Sequence, residues 1–420
     1  MTRCLLFVPL CVCAAAGPAP AETLTIAQAV DAAVDHNLSL IARKANLSIA
    51  DTQMLTARLR PNPVASVSAD HLDLLGTGFD ETNNGGPPEI AFRVDVPIER
   101  AGKREKRIDL ASASRAVAQA QFDDAVRTLR ADVTLACIDV LAARAMRDLV
   151  ADNLRAFEDL ARVNKARATA GAIAVVESTR ADVAMLQFRS TVVRAELELE
   201  TARSKLKILI GRPAGDALDI AGDLRSTPAA TAPELGMVQQ LALATRPDLR
   251  SLELTEAKSI ADLRLQEAVG RIDYTVGAEY RRQQGISGRS NSLGFFVSAP
   301  LPVLNRNQGE IARAGAERDQ ASRQIEATRA QILSDVEIAV HEYAANHDLL
   351  AAIERDLIQP ATSARDISSY TYRAGGSSLV ELLDAQRAFN DTMQSYLDAQ
   401  SGVRRAAARL NAAVGTEVMR

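Results

Sequence analysis

Tryptophan is absent from this 420-residue chain, and aromatic residues make up only 4% of it. That is poor material for a compact globular core and suits alanine-rich helix packing. Cysteine is scarce. Cys4, Cys11 and Cys13 fall at the very start, leaving Cys137 alone in the body of the chain, so neither a disulfide framework nor a thiolate metal site is expected. The four histidines are scattered. His341 and His347 are six apart rather than on one helix face, and His36 and His71 are isolated, so solvated or packed histidine is expected rather than a metal site. There is no basic excess: the formal net charge is −4, which argues against a nucleic-acid partner. After the first residues no stretch approaches the ~20 apolar residues of a membrane-spanning helix. No nucleophile–base constellation is evident, and the glycine-rich stretch Asn83–Pro88 lacks the Walker pattern. Neither enzyme activity nor a cofactor is expected.

What is present begins with residues 1–21, which read as a secretory signal. Arg3 is the basic region, the apolar run Leu5–Ala16 is too short to span a bilayer, and Ala19-Pro20-Ala21 forms a cleavage site before Glu22. No small residue precedes Cys11 or Cys13, which disfavours a lipid anchor. An exported chain without a membrane-spanning helix is periplasmic, extracellular or an outer-membrane β-barrel.

One kind of joint occurs twice. Leu293, Phe295, Val297 and Ala299 alternate with Gly294, Phe296 and Ser298; Pro300 and Pro302 follow, and a long helical pattern starts after Gly309. Earlier, Ile90, Phe92, Val94, Val96 and Ile98 alternate with Ala91, Arg93, Asp95 and Pro97, and Gly102 opens another long helix. Other landmarks recur too. SIAD stands at Ser48–Asp51 and at Ser259–Asp262, while Gly171, Glu177, Ala181 and Gly211 reappear 204 residues later as Gly375, Glu381, Ala385 and Gly415. The chain therefore reads as a duplication. The first repeat is 22–210, with strands about 63–71 and 90–98 and a helical hairpin 102–210. A linker, 211–233, leads to the second repeat, 234–420, with strands about 273–281 and 292–301 and a hairpin 307–414. Each strand is about nine residues, the length of a tilted membrane strand, with one apolar and one polar face. Val126, Leu129, Val133, Ala136 and Val140 form a coiled-coil seam on the first long helix, and Pro360 is expected to kink its counterpart.

Four membrane strands cannot close a barrel, and open edges are not tolerated in lipid. Two copies would give a filled eight-stranded barrel; three would give twelve strands with a lumen, above a ring of twelve helical columns.

At this point the residues resemble a known family, the TolC-like outer-membrane efflux proteins, over essentially the whole chain after the leader. The likeness rests on the two joints, the duplicated plan and the segment YRAGGSSLVELLDAQR at 372–387. Residues 300–310, PLPVLNRNQGE, are similar to the heavy-metal cation efflux (CzcC-like) branch. The resemblance implies an α+β membrane protein. Four transmembrane β-strands per protomer would combine with a long α-helical coiled-coil barrel, completed as a homotrimer with a 12-strand β-barrel and 12-helix tunnel. It implies a passive exit duct in outer-membrane lipid, extending into the periplasm. A periplasmic adaptor protein would join it to an inner-membrane pump of the RND type.

It also implies roles for residues. Arg167, Gly171, Arg373, Gly375, Gly376, Ser377 and Ser378 belong to the tips that would dock the adaptor. Glu177, Glu381 and Asp384 would form acidic rings at the periplasmic gate, with Tyr370 and Tyr372 supplying gate hydrogen bonds. Pro97, Gly102, Pro300, Pro302 and Gly309 would mark the barrel–tunnel joints. Ser377 stands where some relatives carry a gating arginine. Acids in the first turns of a helix are also favoured simply by its dipole. Alternatives are a duct for type I protein secretion and a periplasmic coiled-coil scaffold without a channel.

Overall fold

The computed structural model describes residues 22–72, 74–76, 88–224, 231–285 and 288–419. The expected leader, 1–21, lies outside the described residues. So do 77–87 of the first inter-strand loop and 225–230 of the expected linker.

The elements run β1 (Glu22–Leu24), α1 (Ile26–His36), α2 (Leu38–Arg58), β2 (Val64–Asp70), β3 (Glu89–Ile98), α3 (Lys103–Thr169) and α4 (Val175–Leu209). There follow β4 (Leu218–Ile220), α5 (Leu235–Thr245), α6 (Pro247–Val269), β5 (Tyr274–Gly285), β6 (Gly288–Ser298), α7 (Gln308–Asp356), α8 (Ile358–Arg373) and α9 (Leu379–Val414). They fall into two compact units. One comprises Ala42–Ala125 and Gln239–Asp335. The other holds Val126–Val238, the chain from Val336 onward and the chain before Ala42.

The unit containing Ala42–Ala125 carries the antiparallel sheet β2-β3-β5-β6. Its register places Val67, Phe92, Tyr280 and Leu293 in one row and Ala65, Val94, Ala278 and Phe295 in the next. A third row holds Val96, Val276 and Val297. Because side chains alternate across a sheet, these rows make one continuous apolar face. The opposite face holds Arg93, Asp95, Glu89, Glu279 and Arg281. β2 and β6 are left as edges.

The β5–β6 hairpin differs from the sequence expectation. The expected strands stop at about 281 and resume at about 292, yet Arg282 pairs with Asn291, Gln283 with Ser290 and Gln284 with Arg289. Polar side chains conceal a strand from a hydropathy pattern while leaving its backbone ladder intact. At the other end β6 stops at Ser298, two residues before Pro300. β3 runs through Pro97 to Ile98. That proline is tolerated because pairing with β2 ends at Asp95, which leaves β3 with a free side there.

At the first joint Ala101 and Gly102 both take positive φ, 57° and 65°, turning the chain into α3. Lys103, buried, donates to the Arg271 carbonyl at 2.8 Å and pairs with Asp273 at 2.6 Å. Arg104 donates to the Arg58 carbonyl at 2.7 Å and Arg107 to that of Leu59 at 3.2 Å. Cations thus sit on the carbonyl ends of α2 and α6, where the helix dipole favours them. At the second joint Gly309 lies in the first turn of α7, which begins at Gln308. The left-handed residue is Asn307, φ 63°. Its amide donates to the Gln266 carbonyl at 2.8 Å, and its N–H to Asn305 Oδ1 at 2.8 Å. Asparagine tolerates the left-handed conformation better than other non-glycine residues, and these two bonds hold Asn307 there.

The other unit begins with β1, which pairs in parallel with β4. β4 lies inside the expected linker and is anchored by buried Leu218 and Ile220. Three-residue strands carry too little periodicity to be read from sequence. α3 contains no glycine or proline in 67 residues. Its buried stripe here is Leu129, Val133, Cys137 and Leu141, with Val140 alongside. Ala136, expected in the seam, is only half-buried. These buried positions mix steps of three and four, the pattern of one helix face turned to its neighbours. Burial pushes the Cys137 thiol up to about 12, so it is an inert packing residue. Pro360 breaks its helix one turn upstream, at Leu357, between α7 and α8. The proline ring cannot coexist with the carbonyl four residues before it, and helix α7 ends at that residue, Asp356.

Within this unit α4 abuts the start of α2. The Asn37 amide donates to the Leu209 carbonyl at 2.8 Å, while its oxygen accepts from Leu40 N–H at 2.9 Å. Gly211 has φ 71°, and a Cβ there would strike the His36 carbonyl. Gly211→Ala is therefore expected to destabilise the protein by about 2 kcal/mol or more, read as a lowered midpoint in thermal circular dichroism.

Candidate functional site

The two helical turns at 170–174 and 374–378 have the same local construction. In the first, Gly171 N–H donates to Ala168 O at 3.0 Å and Ala172 N–H to Arg167 O at 2.8 Å. In the second, Gly375 N–H donates to Tyr372 O at 3.1 Å and Gly376 N–H to Thr371 O at 2.8 Å. These are Schellman caps, and Gly171 and Gly375 occupy the left-handed position they require, with φ 73° and 80°. The return helices start differently. Ala174 gives α4 no side-chain cap, whereas the Ser378 hydroxyl accepts from Glu381 N–H at 3.3 Å. Ser377, the other capping candidate, has its Oγ buried with no hydrogen-bond partner among the described residues.

The turns are joined to each other. Arg167 Nη2 donates to the Arg373 carbonyl at 3.1 Å. Tyr372 is buried, and its phenol donates to Asn164 Oδ1 at 2.9 Å. Ala161, Ala181, Tyr372, Leu379 and Leu382 form the apolar cluster around this bond. Further along, Gln386 Nε2 donates to Asn153 Oδ1 at 3.3 Å. Burial raises the Tyr372 phenol above its usual value. Nearby Glu177 adds to that shift and Arg167 opposes it. Tyr370, paired with Tyr372 in the sequence expectation, is instead 75% exposed.

Asn164 and Asn153 escaped the sequence reading. A signal existed: Asn164 continues the spacing of Phe157 and Ala161 on the core side of α3, all three being buried. A polar residue on such a stripe needs a partner.

Of the acids, Glu177 is half-buried, and Glu381 and Asp384 are exposed. Glu177 and Glu381 occupy the same third position of their helices. Asp384 meets Arg387 at 3.4 Å, both exposed, a contact of little energetic weight. The Glu381 carboxylate has no ion-pair partner among the described residues. No cluster of three or more metal-type ligands occurs among the described residues of one protomer.

On the sheet, the charged face is internally paired. Arg93 binds Asp95 at 2.9 Å and lies 4.2 Å above the Phe296 ring. Arg281 bridges Glu89 at 2.7 Å and Glu279 at 3.0 Å. Gly277 makes room for Asp95, whose carboxylate a Cβ would strike. No described helix is long and apolar enough to cross a membrane.

Comparison with known proteins matches this arrangement at full length. The family profile described as "Outer membrane efflux protein" covers residues 29–212 and 238–416. The cobalt-zinc-cadmium resistance protein CzcC of Cupriavidus metallidurans is 24% identical over 401 residues, spanning 96% of this chain and 91% of that protein. Among solved structures, the outer-membrane channel OprN superposes with a TM-score of 0.74 at 20% identity, covering 93% of this chain and 89% of the other. CusC, whose structures concern folding and transmembrane channel formation, gives 0.73 at 16% identity over 96% and 97%.

Proposed function

The chain belongs to the outer membrane efflux protein family, and on that basis we propose that it is the outer-membrane exit duct of a tripartite pump for heavy-metal cations. The observation that carries the duct is the sheet. It has an apolar face for lipid, a charged face for water and two unpaired edges. Three copies complete it without an open edge, giving twelve strands and a lumen. In this reading residues 1–21 are the export signal, and 22–210 and 234–420 are the two repeats. The tips around Arg167, Gly171, Arg373, Gly375, Gly376, Ser377 and Ser378 dock a periplasmic adaptor. Glu177, Glu381 and Asp384 line the narrow end, and an RND-type inner-membrane pump supplies the energy. The family is one of channels rather than enzymes, and the charged sheet face suits passage of ions without tight binding.

The relative named for cobalt, zinc and cadmium resistance favours divalent cations over secreted proteins as cargo. A strain lacking this gene is expected to become sensitive to cobalt, zinc or cadmium and to regain tolerance when it is restored. Unchanged tolerance to these metals, with sensitivity to detergents instead, would overturn the cargo while leaving the duct.

A further inference from the structure

Four arginines lie in the sheet, and they behave in two ways. Arg93 and Arg281, on the charged face, are both held in ion pairs. Arg282 and Arg289 are on the apolar face: Arg282 stands opposite Asn291, and Arg289 stands opposite Gln284, two positions along the same strand. That diagonal puts their Cβ atoms about 7–8 Å apart. Both are exposed, and neither guanidinium has a hydrogen bond or ion pair among the described residues.

Their height on the face is informative. The rows of Val276, Ala278 and Tyr280 are apolar, and the arginines begin in the next row. From Tyr274 to Arg282 the strand covers about 26 Å, about 20 Å of height at the tilt of a barrel strand, most of the ~25 Å apolar band of an outer-membrane barrel. The helix-proximal end of the band is marked by Tyr274, whose hydroxyl accepts from Arg100 at 2.9 Å. The hairpin end is marked by Tyr280, whose hydroxyl donates to Asn291 Oδ1 at 3.0 Å. Tyrosines at both edges are what a membrane interface selects. An arginine facing lipid is costly at mid-bilayer and nearly free at the interface, so the pair belongs at the headgroups. With the helices in the periplasm, the hairpin end meets the outer leaflet, whose glycolipid, lipid A, carries phosphates.

We propose that Arg282 and Arg289 form a binding site for the phosphate groups of outer-leaflet lipid A. Each guanidinium offers a planar fork matched to phosphate oxygens. Tyr280 and Leu293 beneath them supply an apolar wall for the acyl chains. The site is independent of what the duct carries.

The test uses the full-length protein in non-ionic detergent, titrated with diphosphoryl lipid A, with the same lipid stripped of its phosphates, and with inorganic phosphate. Diphosphoryl lipid A is expected to bind at least about tenfold more tightly than the stripped lipid. R282Q/R289Q is expected to weaken its binding by a similar factor, and R282K/R289K to retain most of it. Inorganic phosphate at millimolar concentration should not compete. Equal affinity of R282Q/R289Q and wild type, or of the two lipids, would overturn the site. Displacement by inorganic phosphate would also overturn it, in favour of a free-anion site. Unchanged elution volume and circular dichroism establish that the variant is folded. Should the double variant fail that check, the single variants Arg282→Gln and Arg289→Gln are read in the same titration.

Discussion

Replacing Glu381 and Asp384 together by alanine is expected to raise, by about tenfold, the divalent-cation concentration that half-blocks the channel in planar bilayers. In the proposed trimer, threefold symmetry would repeat each exposed carboxylate around one axis. Like charges gathered there repel one another and recruit counterions. Glu381 is the more telling member, because no ion pair competes for its carboxylate among the described residues, whereas Asp384 has Arg387 at 3.4 Å. The competing account is local. Glu381 sits in the first turn of α9, above the Ser378 cap, where an acid stabilises the helix by ~0.3–1 kcal/mol. That account predicts a small loss of stability and unchanged block. Reading block and thermal stability together on Glu381→Gln separates the two, since the local account lowers stability alone while the ring account alters block. Block unaltered in every variant would remove the acidic ring.

Tyr372→Ala is expected to destabilise the tip by about 3–5 kcal/mol, the usual cost of deleting a buried ring. Tyr372→Phe keeps the ring and isolates the hydrogen bond. It leaves Asn164 Oδ1 without its donor, and Asn164 Nδ2 already lacks a partner among the described residues, so a loss of about 1–3 kcal/mol is expected. Removing both partners, with Asn164→Ala added, should cost less than the sum of the single changes. Hydrogen exchange over 160–172 and 370–382 reads the loosening directly. There is a pH signature as well. The folded phenol's pKa is raised by burial, so the unfolded chain loses its proton first as pH passes about 10. Stability contributed by Tyr372 is therefore full below that value and falls above it, and Tyr372→Phe should flatten this alkaline slope. If the slope persists in the phenylalanine variant, it belongs to other groups.

Much of this was legible in residue order. The alternation in 90–98 and 293–298 marked strands, because successive side chains on a strand face opposite ways. Gly171 and Gly375 marked two helix ends, because only glycine enters the left-handed cap position freely. The joints were visible, but which residue takes the left-handed conformation at the second, Asn307, was not. Both glycine and asparagine adopt positive φ, and what selects Asn307 is its bond to Gln266 O, 41 residues away. The hairpin beyond Arg282 was missed because its strand character resides in backbone pairing. Its polar side chains gave no hydropathy signal.

The sequence by itself determined the local periods: two-faced strands, long uninterrupted helices, and the breaks between them. These follow from the geometry of neighbours a few residues apart, which residue order records directly. Only the tertiary structure decided which distant residues meet. The parallel pairing of β1 with β4 joins residues 22–24 to 218–220, and the Tyr372–Asn164 bond spans 208 positions. Such contacts depend on how helices pack and rotate against one another, and no local pattern encodes that rotation. The apolar face of the sheet was already implicit in the alternation. Its two unpaired arginines acquired meaning only when the register set them side by side above Tyr280.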